Sequence, residues 1–187
     1  MNSRSCKELS DAFIEFCKKN NLSITQGNEY TSSQILGYWS DLGVKEGFNI
    51  WVQNRYSKGT TREYLVDLCW CFEYDNILDY WVELALESEI SSKSIEGIEY
   101  DFYKLIDIKS FTKVGIFSPK KRDVEEYLKN LSEIIAYSGI KIPYENYLII
   151  FLIDQGVREH LRLEIKTYHL NYQGEITPLH QVQLPDV

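Results

Sequence analysis

Hydrophobic positions change period several times along this chain, and each change marks an element. Residues 7 to 19 place Leu9, Phe13, Phe16 and Cys17 on one helical face, which predicts an amphipathic helix ending in the polar run Asn20-Asn21. A second helix is expected from the cap signal Thr31-Ser32-Ser33 through Ile35, Leu36, Trp39 and Leu42 to Gly47. The period then shortens. Strands are expected over 48 to 56, about 63 to 73 and 80 to 89, with Ser57-Lys58-Gly59-Thr60 as the first turn, an order that favours an antiparallel meander. Ile98, Phe102, Leu105 and Ile106 return to helical spacing and precede a compact strand, Lys113-Val114-Gly115-Ile116-Phe117. A charged helix over 120 to 137 buries Val124, Leu128, Leu131 and Ile135, with Gly139 at its terminator position. Residues 146 to 153 form a near-continuous apolar run, suited to a strand covered on both faces. An alternating segment from Leu161 to Leu170 follows, and Gln173-Gly174 signals a last hairpin.

This order predicts one α/β domain with a mixed sheet flanked by helices. Residues 1 to 30 are expected as an N-terminal helical appendage, 31 to 153 as the core and 154 to 187 as C-terminal strands. At 187 residues the chain can bury a core without covalent staples. Its four cysteines, Cys6, Cys17, Cys69 and Cys71, lack zinc-site spacing and a disulfide framework, so a reducing, cytoplasmic setting is expected. No stretch approaches the length of uncharged apolar sequence that a membrane span needs. A net charge of -8 and a pI near 5.0 argue against a broadly basic nucleic-acid surface. Local cations remain: Lys120, Lys121 and Arg122 at a helix start, and Arg158, Arg162 and Lys166 at even steps on the late strands.

Asp67 changes the picture most. It lies in an apolar run, Leu65-Val66-Asp67-Leu68-Cys69-Trp70, where a carboxylate is costly unless paired, hydrated or bound to a cation. The next strand closes on Leu84-Ala85-Leu86-Glu87-Ser88-Glu89, whose two-residue period puts Glu87 and Glu89 on one face. If the strands pair so that Asp67 and Glu87 meet, their oxygens suit magnesium, with manganese as a substitute, since such an ion takes one or two carboxylates plus waters. On the following helix Asp101 and Lys104 are three apart and can form a salt bridge. Lys104 could instead reach the carboxylates and steady charge developing on a phosphate.

An acid on one strand, an acid-x-acid triplet closing the next, then a helix and a strand: from Asp67 to Phe117 this resembles the PD-(D/E)xK nuclease superfamily. The resemblance spans about residues 31 to 153. It implies a restriction-endonuclease-like fold and magnesium-dependent endonucleolytic hydrolysis of nucleic acid, with DNA as partner and substrate. Asp67 takes the place of the first acid and Glu87 that of the second, both as metal ligands. Glu89 stands where the motif has lysine, so Glu89 and Lys104 compete for the third catalytic position, and Val66 replaces the motif's proline. A homodimer would suit cleavage of both strands of a duplex.

The different reading is a catalytically inactive copy of the fold acting as an acidic protein-binding or regulatory module, of an immunity-like kind. Other chemistries lose their usual support. His160, His169 and His180 form no metal-ligand pair, Cys69 and Cys71 lack an activating base, and there is no P-loop, dinucleotide fingerprint or serine elbow.

Overall fold

The computed structural model describes residues 4–24, 28–52, 65–73, 80–139, 141–154 and 163–184. Among these residues twelve elements follow in chain order: α1 (Cys6–Lys19), α2 (Asn28–Lys45), β1 (Asn49–Val52), β2 (Leu68–Glu73), β3 (Tyr80–Glu89), α3 (Ile95–Asp107), β4 (Ser110–Phe117), a short 3-10 turn (Lys121–Asp123), α4 (Val124–Tyr137), β5 (Asn146–Asp154), β6 (Leu163–Asn171) and β7 (Ile176–Gln183). The class is α/β, as the alternation of periods predicts.

The seven strands lie side by side in chain order, β1 to β7. β1, β2 and β3 run antiparallel, β3, β4 and β5 parallel, and β5, β6 and β7 antiparallel again. The two parallel pairings each need a crossover, which α3 and α4 supply, whereas the antiparallel ones need only short returns. The result is a mixed sheet with α1 and α2 over one face and α3 and α4 over the other.

Each face has its own core. Leu84, Leu86, Val114, Ile116, Leu148 and Ile150 point toward α1 and α2. Ala85, Phe117, Ile149, Phe151 and Ile153 point toward α3 and α4, where Phe102, Leu105 and Leu131 meet them fully buried. Strands β4 and β5 are covered on both sides, which accounts for the unbroken apolar run in β5.

The segment expected as an appendage supplies α1, whose capping box joins Ser5 and Glu8 and whose Leu9, Phe13 and Cys17 are buried in the first core. Ser10 Oγ donates to Thr167 Oγ1 of β6 at 2.8 Å in the interior, and His180 of β7 stands 2.7 Å from Asp11. Trp70 of β2 donates its indole N–H to the Trp39 carbonyl of α2 at 2.9 Å, tying the strand that follows Asp67 to the helix layer. Gly174 takes φ +83 in the β6–β7 turn, a conformation that suits glycine, as the Gln173-Gly174 signal predicts. All four cysteines are buried and free.

Candidate active site

The site is assembled at the C-terminal ends of β3 and β4. Asp67 does not lie within β2, as its alternation suggests; it occupies the bend just before the strand begins at Leu68. The ladder explains why. Leu68 pairs with Leu86, so one step further Asp67 faces Glu87, but there its side chain replaces a backbone partner: Asp67 Oδ2 accepts the Ser88 backbone N–H at 2.9 Å. The carboxylate fastens the end of the β2–β3 ladder and is held beside Glu87.

Glu87 is buried, at 3 % exposure, in the face toward α3 and α4. On its other side it is in register with Gly115 of β4, and the Phe117 ring fills the space a side chain at 115 would take: a Cβ there would meet that ring at 2.5 Å. Lys104 reaches from α3 to within 3.5 Å of Glu87 Oε1 and 2.5 Å of Asp101 Oδ1. Lys104 thus bridges to Asp101 and also faces the buried carboxylate. The longer contact is an ion pair outside hydrogen-bonding geometry, so Glu87 Oε1 is buried without a hydrogen-bond partner.

The electrostatics follow from this packing. Burial pushes the Glu87 carboxyl up to about 9, and the neighbouring Asp67 charge pushes the same way, while Lys104 opposes them. Asp67 is also raised, chiefly by burial, with the Ser88 N–H and Lys104 pulling it down. Burial works against the Lys104 ammonium, yet its bond to Asp101 and the charges of Glu87, Asp101 and Asp67 outweigh this and hold its pKa above the usual value.

Glu89 is occupied differently. Its Oε1 accepts the backbone N–H groups of Ser91 at 2.6 Å and Ser92 at 2.7 Å and the Ser91 hydroxyl, so it closes the turn after β3. Of the two candidates for the third position, Lys104 is the one turned to the carboxylates.

Among the basic residues, Lys120, Lys121 and Arg122 follow the C-terminal end of β4, the end at which Phe117 is in register with Glu89. All three are exposed; Lys121 stands 3.5 Å from Glu164 and Arg122 donates to Asp123 at 3.1 Å. Lys166 lies in β6, half-buried. Arg158, Arg162 and His160 lie outside the described residues. His169 is half-buried, with Nε2 2.9 Å from Asn146 Oδ1.

Among the described residues no group of three or more His, Cys, Asp or Glu side chains gathers as a metal site. Two hard-oxygen ligands, the half-buried Asp67 and the buried Glu87 whose Oε1 has no hydrogen-bond partner, still fit an ion of the magnesium kind, which completes its shell with water and substrate oxygens.

A second ionisable cluster escapes the sequence reading. Lys113 of β4 is fully buried, pairs with Glu145 at 2.8 Å, and stands 3.3 Å from the Tyr147 hydroxyl and 3.4 Å from the Ile106 carbonyl. Desolvation lowers its pKa. A lysine at the head of an apolar strand was the available signal.

No helix among the described residues is long and apolar enough to cross a membrane. The chain matches no protein-family model, no curated protein and no solved structure.

Proposed function

We propose that this chain is a magnesium-dependent nuclease of restriction-endonuclease-like type that hydrolyses phosphodiester bonds, with DNA as the substrate to test first. The observation that carries the reading is the half-buried Asp67 carboxylate, at the bend before β2, held beside the buried Glu87 of β3, with the Lys104 ammonium against the second. The site stands at the C-terminal ends of parallel strands, the usual place for ligands in open α/β sheets.

Asp67 and Glu87 would hold the ion, whose contribution when bound is to polarise a phosphoryl oxygen and lower the pKa of a bound water. In the hydrolysis a water oxygen bonds to phosphorus, the ester P–O bond breaks, and the departing oxygen takes a proton. Lys104, fixed by Asp101, contributes positive charge beside the reacting phosphate. Lys120, Lys121 and Arg122 leave the sheet at the same end and can meet neighbouring phosphates through charge.

The test is cleavage of plasmid and of single- and double-stranded oligonucleotides with magnesium or manganese, with Asp67→Ala and Glu87→Ala as controls. Metal-dependent cleavage lost in both variants supports the reading. Inactivity of the wild type on all substrates, together with no thermal stabilisation by either metal, overturns it in favour of the acidic binding module. The Glu89 carboxylate, whose Oε1 closes the turn after β3 where the motif has lysine, is the observation that favours this second reading.

A further inference from the structure

Tyr100 stands on α3 one turn before Lys104, and the lysine ammonium lies over its ring, 5.5 Å from the centroid. The same ammonium is 3.5 Å from Glu87 Oε1, so one cation joins the ring to the carboxylate site. Yet Tyr100 is 69 % exposed. Lys104 takes one face of the ring, and the rest of the side chain is open to solvent beside the site. Other exposed rings are placed differently: Tyr103 and Tyr137 line a cleft between α3 and α4, and Phe111 and Tyr144 lean on each other at 5.4 Å.

An open aromatic face next to a phosphate-binding site suits a nucleobase, which stacks on such a face whatever its identity. A base can do so only once it has left its own stack. Single strands present bases in that state, whereas a paired duplex must first be unstacked. Charge points the same way. A duplex carries one phosphate charge per about 1.7 Å of its axis and a single strand one per about 3.4 Å, and this chain has a net charge of -8. At this end of the sheet Lys120, Lys121 and Arg122 form a short exposed cluster, with Lys121 against Glu164 and Arg122 against Asp123. So short a cluster suits the sparser backbone.

We propose that Tyr100 is the base-stacking platform of this site and that the site takes single-stranded nucleic acid. One unpaired base lies on the open face of the ring, and the adjoining phosphate meets Lys104 and the Asp67 and Glu87 pair. The inference rests on the nuclease reading for what happens to that phosphate, and on the Tyr100 geometry for the binding.

The experiment reads binding and cleavage separately. Fluorescence anisotropy follows a labelled mixed-sequence DNA oligonucleotide, single-stranded or annealed to its complement, with the full chain in EDTA and in magnesium; cleavage kinetics use the same substrates with magnesium. The proteins are the wild type, Tyr100→Phe, Tyr100→Leu and, as a remote control, Tyr137→Leu. Both tyrosines are exposed, so each variant is expected to fold. The single strand is expected to bind more tightly than the duplex. Tyr100→Leu should weaken single-strand binding about tenfold and raise KM with kcat little changed, while Tyr100→Phe and Tyr137→Leu keep wild-type affinity. Tighter duplex binding, no binding, or unchanged single-strand affinity in Tyr100→Leu overturns the proposal. So does a fall in kcat alone, which would make Tyr100 a prop for Lys104. Single-strand binding that depends on Tyr100 but brings no cleavage would sink the nuclease reading and leave the platform; cleavage indifferent to Tyr100→Leu would do the reverse.

Discussion

The Glu87 side chain sits in a folded environment that prefers its neutral form. Its carboxyl titrates near 4.5 when unperturbed but is pushed up to about 9 in the fold by burial and by Asp67. Between these values the unfolded chain has released the proton and the folded chain retains it, so stability falls as pH rises through that window. Glu87→Gln, which has no proton to hold, is expected to flatten this fall and to melt higher than the wild type at pH 8. Parallel melting curves against pH for the two proteins would show that the carboxyl is not held neutral. The same substitution removes a proposed ligand, so it should stabilise the metal-free chain while abolishing any stabilisation by magnesium. At Lys104, replacement by Met is expected to lower the cleavage rate by about 100-fold or more with the fold intact, as for loss of one preorganised electrostatic group. Single-turnover cleavage, with circular dichroism as the folding control, measures it; an unchanged rate would remove Lys104 from the site.

Helices and strands were largely legible because burial imposes period on them. β3 runs over the residues its alternation predicts, α3 buries Ile98, Phe102 and Leu105 of the positions named from spacing but leaves Ile106 half-buried, and α4 buries all four of its own. The start of β2 was not legible. Alternation continues through Leu65-Val66-Asp67, but pairing ends at Leu68 because the Asp67 side chain takes the next N–H, a choice made by geometry rather than hydrophobicity. The Lys113 and Glu145 pair was hidden for a related reason: its two halves lie on β4 and at the approach to β5 and meet only through parallel pairing. Removing one half leaves a buried charge. Glu145→Gln is therefore expected to cost about 3–5 kcal/mol, while Lys113→Met with Glu145→Leu should recover most of the loss, as denaturant melts of single and double variants can show. The helix that carries Lys104 has its own handle. Ser94 accepts the Gly97 N–H at 3.1 Å as N-cap of α3, and Ser94→Ala should cost about 1 kcal/mol in the same measurement.

For the molecule as a whole, the expected mixed α/β sheet is present, and the carboxylate pair that spacing suggested is adjacent in space. What spacing could not supply was the packing of α1, since an amphipathic helix looks alike whether it covers a sheet or hangs beside one. Phe13 and Cys17 have no exposed surface, and Ser10 bonds to Thr167 inside the core. Removal of residues 1–24 should therefore expose the face of β5 and β6 and leave an aggregating product, read by solubility and size-exclusion elution. A monodisperse, cooperatively melting truncation would show that α1 is dispensable.

The strictly consecutive strand order bears on assembly as well as architecture. Every ladder among the described residues joins strands consecutive in the chain, so no closure has to reach past an intervening strand. Such a sheet can grow from one edge by successive addition, with no strand having to insert between two already joined. Asp67, Glu87 and Lys104 all precede β4 in the chain, so growth from the β1 edge would bring all three together before β5, β6 and β7 are added.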